Sequence, residues 1–196
     1  MTSSSPVFSA QALDVRRLAR AHGVMQGAVA LADLPRWRED APEWPQADAA
    51  AALQLDWQAR AELRTPPGGA EQVWLRLTFT GQVPQICQRC LSVYLQPLAV
   101  DRWFRFVADE ATAEAEDDDA EEDLLVWTPR FNLLELVEDE LFLALPLVPM
   151  HDVCPQALPT EAVDADFHQA ERPHPFAALA ALKGRAGRPG PGQEDA

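Results

Sequence analysis

Lysine is almost absent from this sequence. Lys183 is the only one; every other residue among the sixteen basic ones is arginine, and thirty-one acids bring the formal net charge to −15. Such a chain is repelled by phosphate backbones, so broad electrostatic binding of nucleic acid is not expected, and a basic protein partner fits better. Cysteine is scarce too. Three cysteines, an odd number, speak against a disulfide framework and for a reducing compartment. No run of eighteen apolar residues offers a membrane span. Met1 to Ala12 lacks the basic start and continuous apolar stretch of an export signal, so a cytoplasmic location is expected. Also missing are G-x-S-x-G, a Gly-rich phosphate loop and H-E-x-x-H. The chain therefore reads as a protein that is not an enzyme. A nuclease would need carboxylates pre-organised in a pocket, and the one dense acidic cluster falls where a loop is expected.

What is present suits a folded protein. The 196 residues are 47% hydrophobic, with seventeen prolines and nine glycines that imply many breaks. One domain is expected over 1–183, with a disordered tail at 184–196 and a mobile start at 1–9. Residues 10–21 read as a short amphipathic helix closed by His22-Gly23, and 24–34 as a first strand. Pro35, Pro42 and Pro45 make 35–50 a loop. From Leu53 to Leu63 the odd positions are apolar and the even ones polar, a period of two that marks a half-buried strand. Val73, Leu75, Leu77 and Phe79 repeat the pattern after a Pro-Gly turn. Gly81 breaks it, Val83–Cys87 continues the sheet after Pro84, and 91–107 gives one or two more strands interrupted near Pro97. Residues 108–123 hold ten acids and no base, two thirds of the net charge, and read as a solvated loop. Leu124–Trp127 suits a short strand. Asn132 is an N-cap with Glu135 three residues on, and Leu134, Val137, Leu141 and Leu145 form an apolar stripe opposite a wet side of Glu135, Glu138 and Asp139. Pro146 ends that helix, and Phe176, Leu179 and Leu182 lie along one side of a last short helix. The fold class is α+β: an antiparallel meander packed by one main helix near 132–145, with short N- and C-terminal helices and a long acidic loop.

Cys87-Gln88-Arg89-Cys90 is the sharpest chemical signal. A C-x-x-C pair chelates one metal from a tight turn, and His151-Asp152-Val153-Cys154 supplies a second pair downstream. Cys87, Cys90, His151 and Cys154 thus form a candidate tetrahedral zinc set. Three other readings stand beside it. Cys87 packs in the core, the pair is redox-active, or the distant pair never meets the turn. Arg89 reads as a surface residue. The acidic run reads either as a solvated linker or as a nucleic-acid mimic that holds a basic partner. Trp57, Trp74, Phe79, Trp103, Phe104 and Phe106 fall on expected strands, where they serve the core or stack bases. Base stacking needs basic residues on the same face, and Arg60, Arg76, Arg102 and Arg105 are spread over the strands.

Taken in order, these residues resemble a known family. Cys87-Gln88-Arg89-Cys90-Leu91 follows paired strands and precedes an acidic interval. Val137-Glu138-Asp139-Glu140 comes next, with Leu143-Ala144-Leu145-Pro146-Leu147-Val148-Pro149 and His151. Pro173-His174-Pro175-Phe176, Leu179 and Leu182-Lys183 close the pattern. From about residue 50 to 183 the chain resembles the bacterial large ribosomal RNA subunit accumulation proteins, the YceD family. The resemblance implies a cytoplasmic ribosome biogenesis factor that supports synthesis, processing or stability of large-subunit (23S) ribosomal RNA. It implies no reaction and no established cofactor. Ribosomal proteins or RNA-processing factors are the partners expected from it; the alternative is a direct RNA-binding module with a structural zinc site.

Overall fold

The computed structural model describes residues 8–42 and 53–156. The expectations for 1–7, 43–52 and 157–196, including the last short helix and the tail, lie outside the described residues. All described residues belong to one compact unit, 1–156.

Five strands form one open sheet in sequence order. They are β1 (Val24–Ala30), β2 (Gln54–Arg64), β3 (Gln72–Ile86), β4 (Val93–Val107) and β5 (Asp123–Val126). The period of two becomes two faces. Leu55, Trp57, Ala59 and Ala61 are buried on β2, and Val73, Leu75, Leu77 and Phe79 are buried on β3. The register puts them on one side, with Ala61 opposite Leu75 and Leu75 opposite Phe104. Helices cover that side. α1 (Val15–Arg20) is capped by Asp14, which accepts the Arg17 N–H, and buries Val15, Leu18 and Ala19. Two further short helices, α2 (Pro35–Asp40) and α3 (Glu110–Glu116), precede the main one, α4 (Leu133–Ala144). In α4, Asn132 accepts the Leu134 N–H, and Leu133, Leu136, Val137 and Leu141 are buried. Each fully buried leucine contributes roughly 1.5–3 kcal/mol by leaving water. Paired backbone bonds between Leu13 and Phe131 tie the entries of α1 and α4 together.

Seven local readings need correction. The first strand expected over 24–34 stops at Ala30, and Leu31–Asp33 is a 3-10 turn. β4 runs through Pro97 without the expected interruption. The loop expected at 35–50 contains α2: Pro35 sits in its first turn, where a missing N–H costs nothing, and the cap comes from α4. The acidic loop at 108–123 contains α3 and a 3-10 turn, Asp117–Asp119. Asp109 caps α3, and Arg105 and Arg102 of β4 take up Glu116, Glu122 and Asp123. The last strand pair is parallel, so the meander is antiparallel only through β4. β3 runs unbroken past Gly81 and Pro84. Its pairing with β2 stops at Gly81, so the edge where Pro84 lacks a donor has no β2 partner to lose. Finally, Glu138 is 2% exposed rather than on the wet side.

Candidate metal centre

Beyond Gly81 the sheet narrows to a two-stranded ribbon, β3 with β4, that pairs as far as Ile86 and Val93. The six residues 87–92 close its tip. The Cys87 N–H donates to Ser92 O at 3.0 Å, and the Leu91 N–H donates to Cys87 O at 2.8 Å. Leu91 takes a left-handed backbone, φ 59°. That residue turns the chain back toward Ser92, and the Cys87 and Cys90 sulfurs lie within 4.8 Å of each other.

The segment after α4 comes back to this tip. Gln88 donates its backbone N–H to Pro149 O at 2.8 Å. The Arg89 guanidinium reaches His151 O at 2.7 Å and Cys154 Sγ at 3.1 Å. The His151 ring lies on Tyr94, with 4.7 Å between centroids. As a result Cys87, Cys90, His151 and Cys154 each present one donor atom, all within 4.8 Å of one another. Cys87 Sγ is 3.9 Å from Cys154 Sγ, and Cys90 Sγ is 3.4 Å from His151 Nδ1. The distant pair does meet the turn, and this Cys3His group could hold a metal ion.

The electrostatics favour deprotonated sulfur at Cys87 and Cys90 and oppose it at Cys154. Burial raises the Cys87 thiol, but the N–H groups of His151, Cys90 and Arg89 and the His151 ring point at its sulfur and bring it down from 9.0 to about 5. Ser92, through its hydroxyl and its N–H, lowers Cys90. Burial raises Cys154, opposed by the hydrogen bond from Arg89. His151 is raised by its hydrogen bond to Cys87. Thiolate is the form of cysteine that binds metal, so the backbone around Cys87 and Cys90 already suits a cation.

Sequence reasoning named the four donors and missed what holds them. Ser92, Tyr94 and the Gln88–Pro149 backbone clamp carry no motif of their own. Arg89 is exposed, as its reading as a surface residue expects, and it is also the clamp between the two halves of the group.

The aromatics divide between two faces. Trp57, Phe79, Phe104 and Phe106 are buried. Trp74 and Trp103 sit half-buried on the opposite face, their rings 6.3 Å apart in a T-shaped pair. Arg60 and Arg76 are direct register partners on that face, and Arg105 faces Trp74. Arg102 is one residue out of phase and pairs with Asp123.

The fold and the cluster define a two-layer α+β protein whose sheet ends in a ribbon with a Cys3His tip. The family described as large ribosomal RNA subunit accumulation protein YceD matches residues 75–183, more than half of the chain. This chain belongs to the YceD family. The large ribosomal RNA subunit accumulation protein YceD of Haemophilus influenzae is 38% identical over 109 residues, covering 50% of this chain and 58% of that protein. The chain thus spans less than two thirds of the length of this relative. No solved structure matches.

Proposed function

We propose that this protein supports synthesis, processing or stability of large-subunit ribosomal RNA without catalysing a reaction, and that Cys87, Cys90, His151 and Cys154 hold one structural zinc ion. Membership of the YceD family supports the role. The single observation that carries the chemistry is the meeting of four donors from two chain segments within 4.8 Å. A tetrahedral zinc with zinc–sulfur bonds of about 2.3 Å sets two sulfurs about 3.8 Å apart, and a sulfur about 3.5 Å from a ligating nitrogen. The distances here, 3.9 Å between Cys87 and Cys154 sulfurs and 3.4 Å from Cys90 sulfur to His151 Nδ1, fit that geometry. Four protein donors leave no open position, which is the pattern of a structural site. Zinc would supply cross-linking: it would fasten the segment after α4 to the ribbon tip.

The partners we propose are ribosomal proteins or RNA-processing factors in the cytoplasm. Among the described residues, no helix is long and apolar enough to cross a membrane. Glu110, Glu114, Asp117, Asp118, Asp119 and Glu121 are exposed on α3 and the turn after it, a field that draws basic chains. A clean gene deletion tests the role. Large-subunit RNA and mature large subunits should fall and return with the wild-type gene; normal RNA and subunit profiles would refute the role. A second reading, direct contact with RNA, is favoured by the gathering of Arg60, Arg76, Trp74 and Trp103 on one face.

A further inference from the structure

The outer face of the sheet departs from what a solvated face needs. Two tryptophans occupy wet-side positions on its central strands, Trp74 on β3 and Trp103 on β4. Arg60 and Arg76 stand directly opposite each other in the β2–β3 register, and Arg76 is opposite Trp103. Like charges directly opposite each other destabilise a sheet, so this pairing brings the fold no gain. Arg64, from the end of β2, lays its guanidinium over both indoles, 4.1 Å from the Trp74 ring and 4.0 Å from Trp103. The side chains of Arg60, Arg64 and Arg76 remain 58%, 37% and 42% exposed. Two carboxylates share the patch: Glu62 beside Arg60 and Arg64, and Asp101 beside Arg76. Three guanidinium groups against two carboxylates make an arginine-rich island on a chain of net charge −15.

The surroundings give the island a direction. On one side a hollow of about 360 Å³ is lined by Trp74 and Trp103 and walled by Glu121 and Glu122 of the acidic run. On the other, a second depression of about 480 Å³ offers the hydrogen-bonding side chains of Gln26, Gln58, Thr78 and Thr80, with the carboxylate of Asp56 among them. Stacking surfaces, guanidinium groups and amide or hydroxyl edges thus follow one another across the sheet. That is the chemistry that holds an unpaired nucleotide strand: bases stack on aromatic or guanidinium planes, phosphates meet arginine, and polar side chains reach base edges. The acidic wall opposes a phosphate backbone on its side and so favours a path away from it.

From this arrangement we infer that the outer face of β2–β3–β4 binds single-stranded RNA, with bases stacked at Trp74 and Trp103 and phosphates at Arg60, Arg64 and Arg76. The inference names the surface by which the proposed ribosomal RNA role touches RNA, and it rests on that reading. A basic polypeptide is the competing occupant, since Trp and Arg also anchor protein interfaces.

The test is fluorescence anisotropy of the full chain with a short labelled oligouridylate at low salt, with polylysine as the second probe. The oligonucleotide should bind, with log K falling against log salt at a slope of about −2 for three phosphate contacts. Trp74→Ala with Trp103→Ala should weaken it roughly tenfold or more. Arg60→Glu with Arg76→Glu should abolish it and, acting at half-exposed side chains, leave the unfolding midpoint close to wild type. Absence of oligonucleotide binding at low salt overturns the inference. Equal binding by the wild type and the arginine variant overturns it as well. Polylysine binding lost with the tryptophans, without RNA binding, would make the face a protein dock and also overturn it. The RNA and subunit profiles of the gene deletion are read independently, so the broader role can stand when this surface fails.

Discussion

Oε1 of Glu138 accepts the backbone N–H of Trp37 at 2.8 Å, joining residues 101 positions apart. The N-cap of α2 is Leu34, which has no side chain able to take an orphan N–H, and the glutamate of α4 takes that place. Its other oxygen meets Arg36 at 3.3 Å, and Asp139 pairs with Arg36 at 2.7 Å. Two acids of the Glu138-Asp139-Glu140 block therefore dock α2 onto α4.

Replacing Glu138 by alanine should destabilise the protein by about 1–3 kcal/mol, because it leaves the buried Trp37 N–H without a partner. Glutamine, which keeps an acceptor oxygen, should lose less. Urea unfolding of the three proteins measures the difference. Equal midpoints for wild type and alanine variant would remove the capping role.

Glu140, the third acid of the block, is 5% exposed. Burial raises its carboxyl above its ordinary 4.5, and the charge of Arg102 offsets part of that rise. The folded state therefore holds this proton more tightly than the unfolded state. Its contribution is fully present below pH 4.5 and is lost as pH rises through the raised value. Glu140→Gln should be more stable than wild type at neutral pH, with the gap closing as pH falls toward 4.5. Denaturant midpoints across that range read it directly. A gap that stays constant with pH would contradict the assignment.

Arg89, within the tip turn, donates to Cys154 Sγ and His151 O. If the proposed zinc site forms, Arg89 pre-organises its downstream half. Arg89→Ala should lower zinc affinity by about 10–100-fold, the usual cost of losing a group that orients metal ligands. Lysine, which cannot make both contacts in one plane, should recover only part. Competition against a chromophoric chelator gives the affinities. Unchanged affinity in the alanine variant would leave Arg89 without a role at the centre.

The strands were legible where their environment is local. The alternation in β2 and β3 states which face is buried, and Asn132 with its apolar stripe states where α4 begins. What escaped depends on distant partners. α2 was hidden because its cap comes from Glu138, and Glu138 looked solvated because its partner lies in α2. The acidic run looked too repulsive to fold because Arg102 and Arg105 belong to another strand. At the candidate metal centre the donors were legible as residue types. Their meeting was not, since it depends on the return of residues 149–154 to the ribbon tip through Gln88 and Arg89.

Metal content of the purified full chain, prepared without chelator, tests the central claim most directly. The account predicts about one equivalent of zinc, released when Cys87 and Cys90 are replaced by serine, because thiolates supply most of the binding. It also predicts that Cys154→Ser lowers the zinc content while the sheet still forms. Less than about a tenth of an equivalent in the wild type, or an equivalent that survives loss of Cys87 and Cys90, would contradict it.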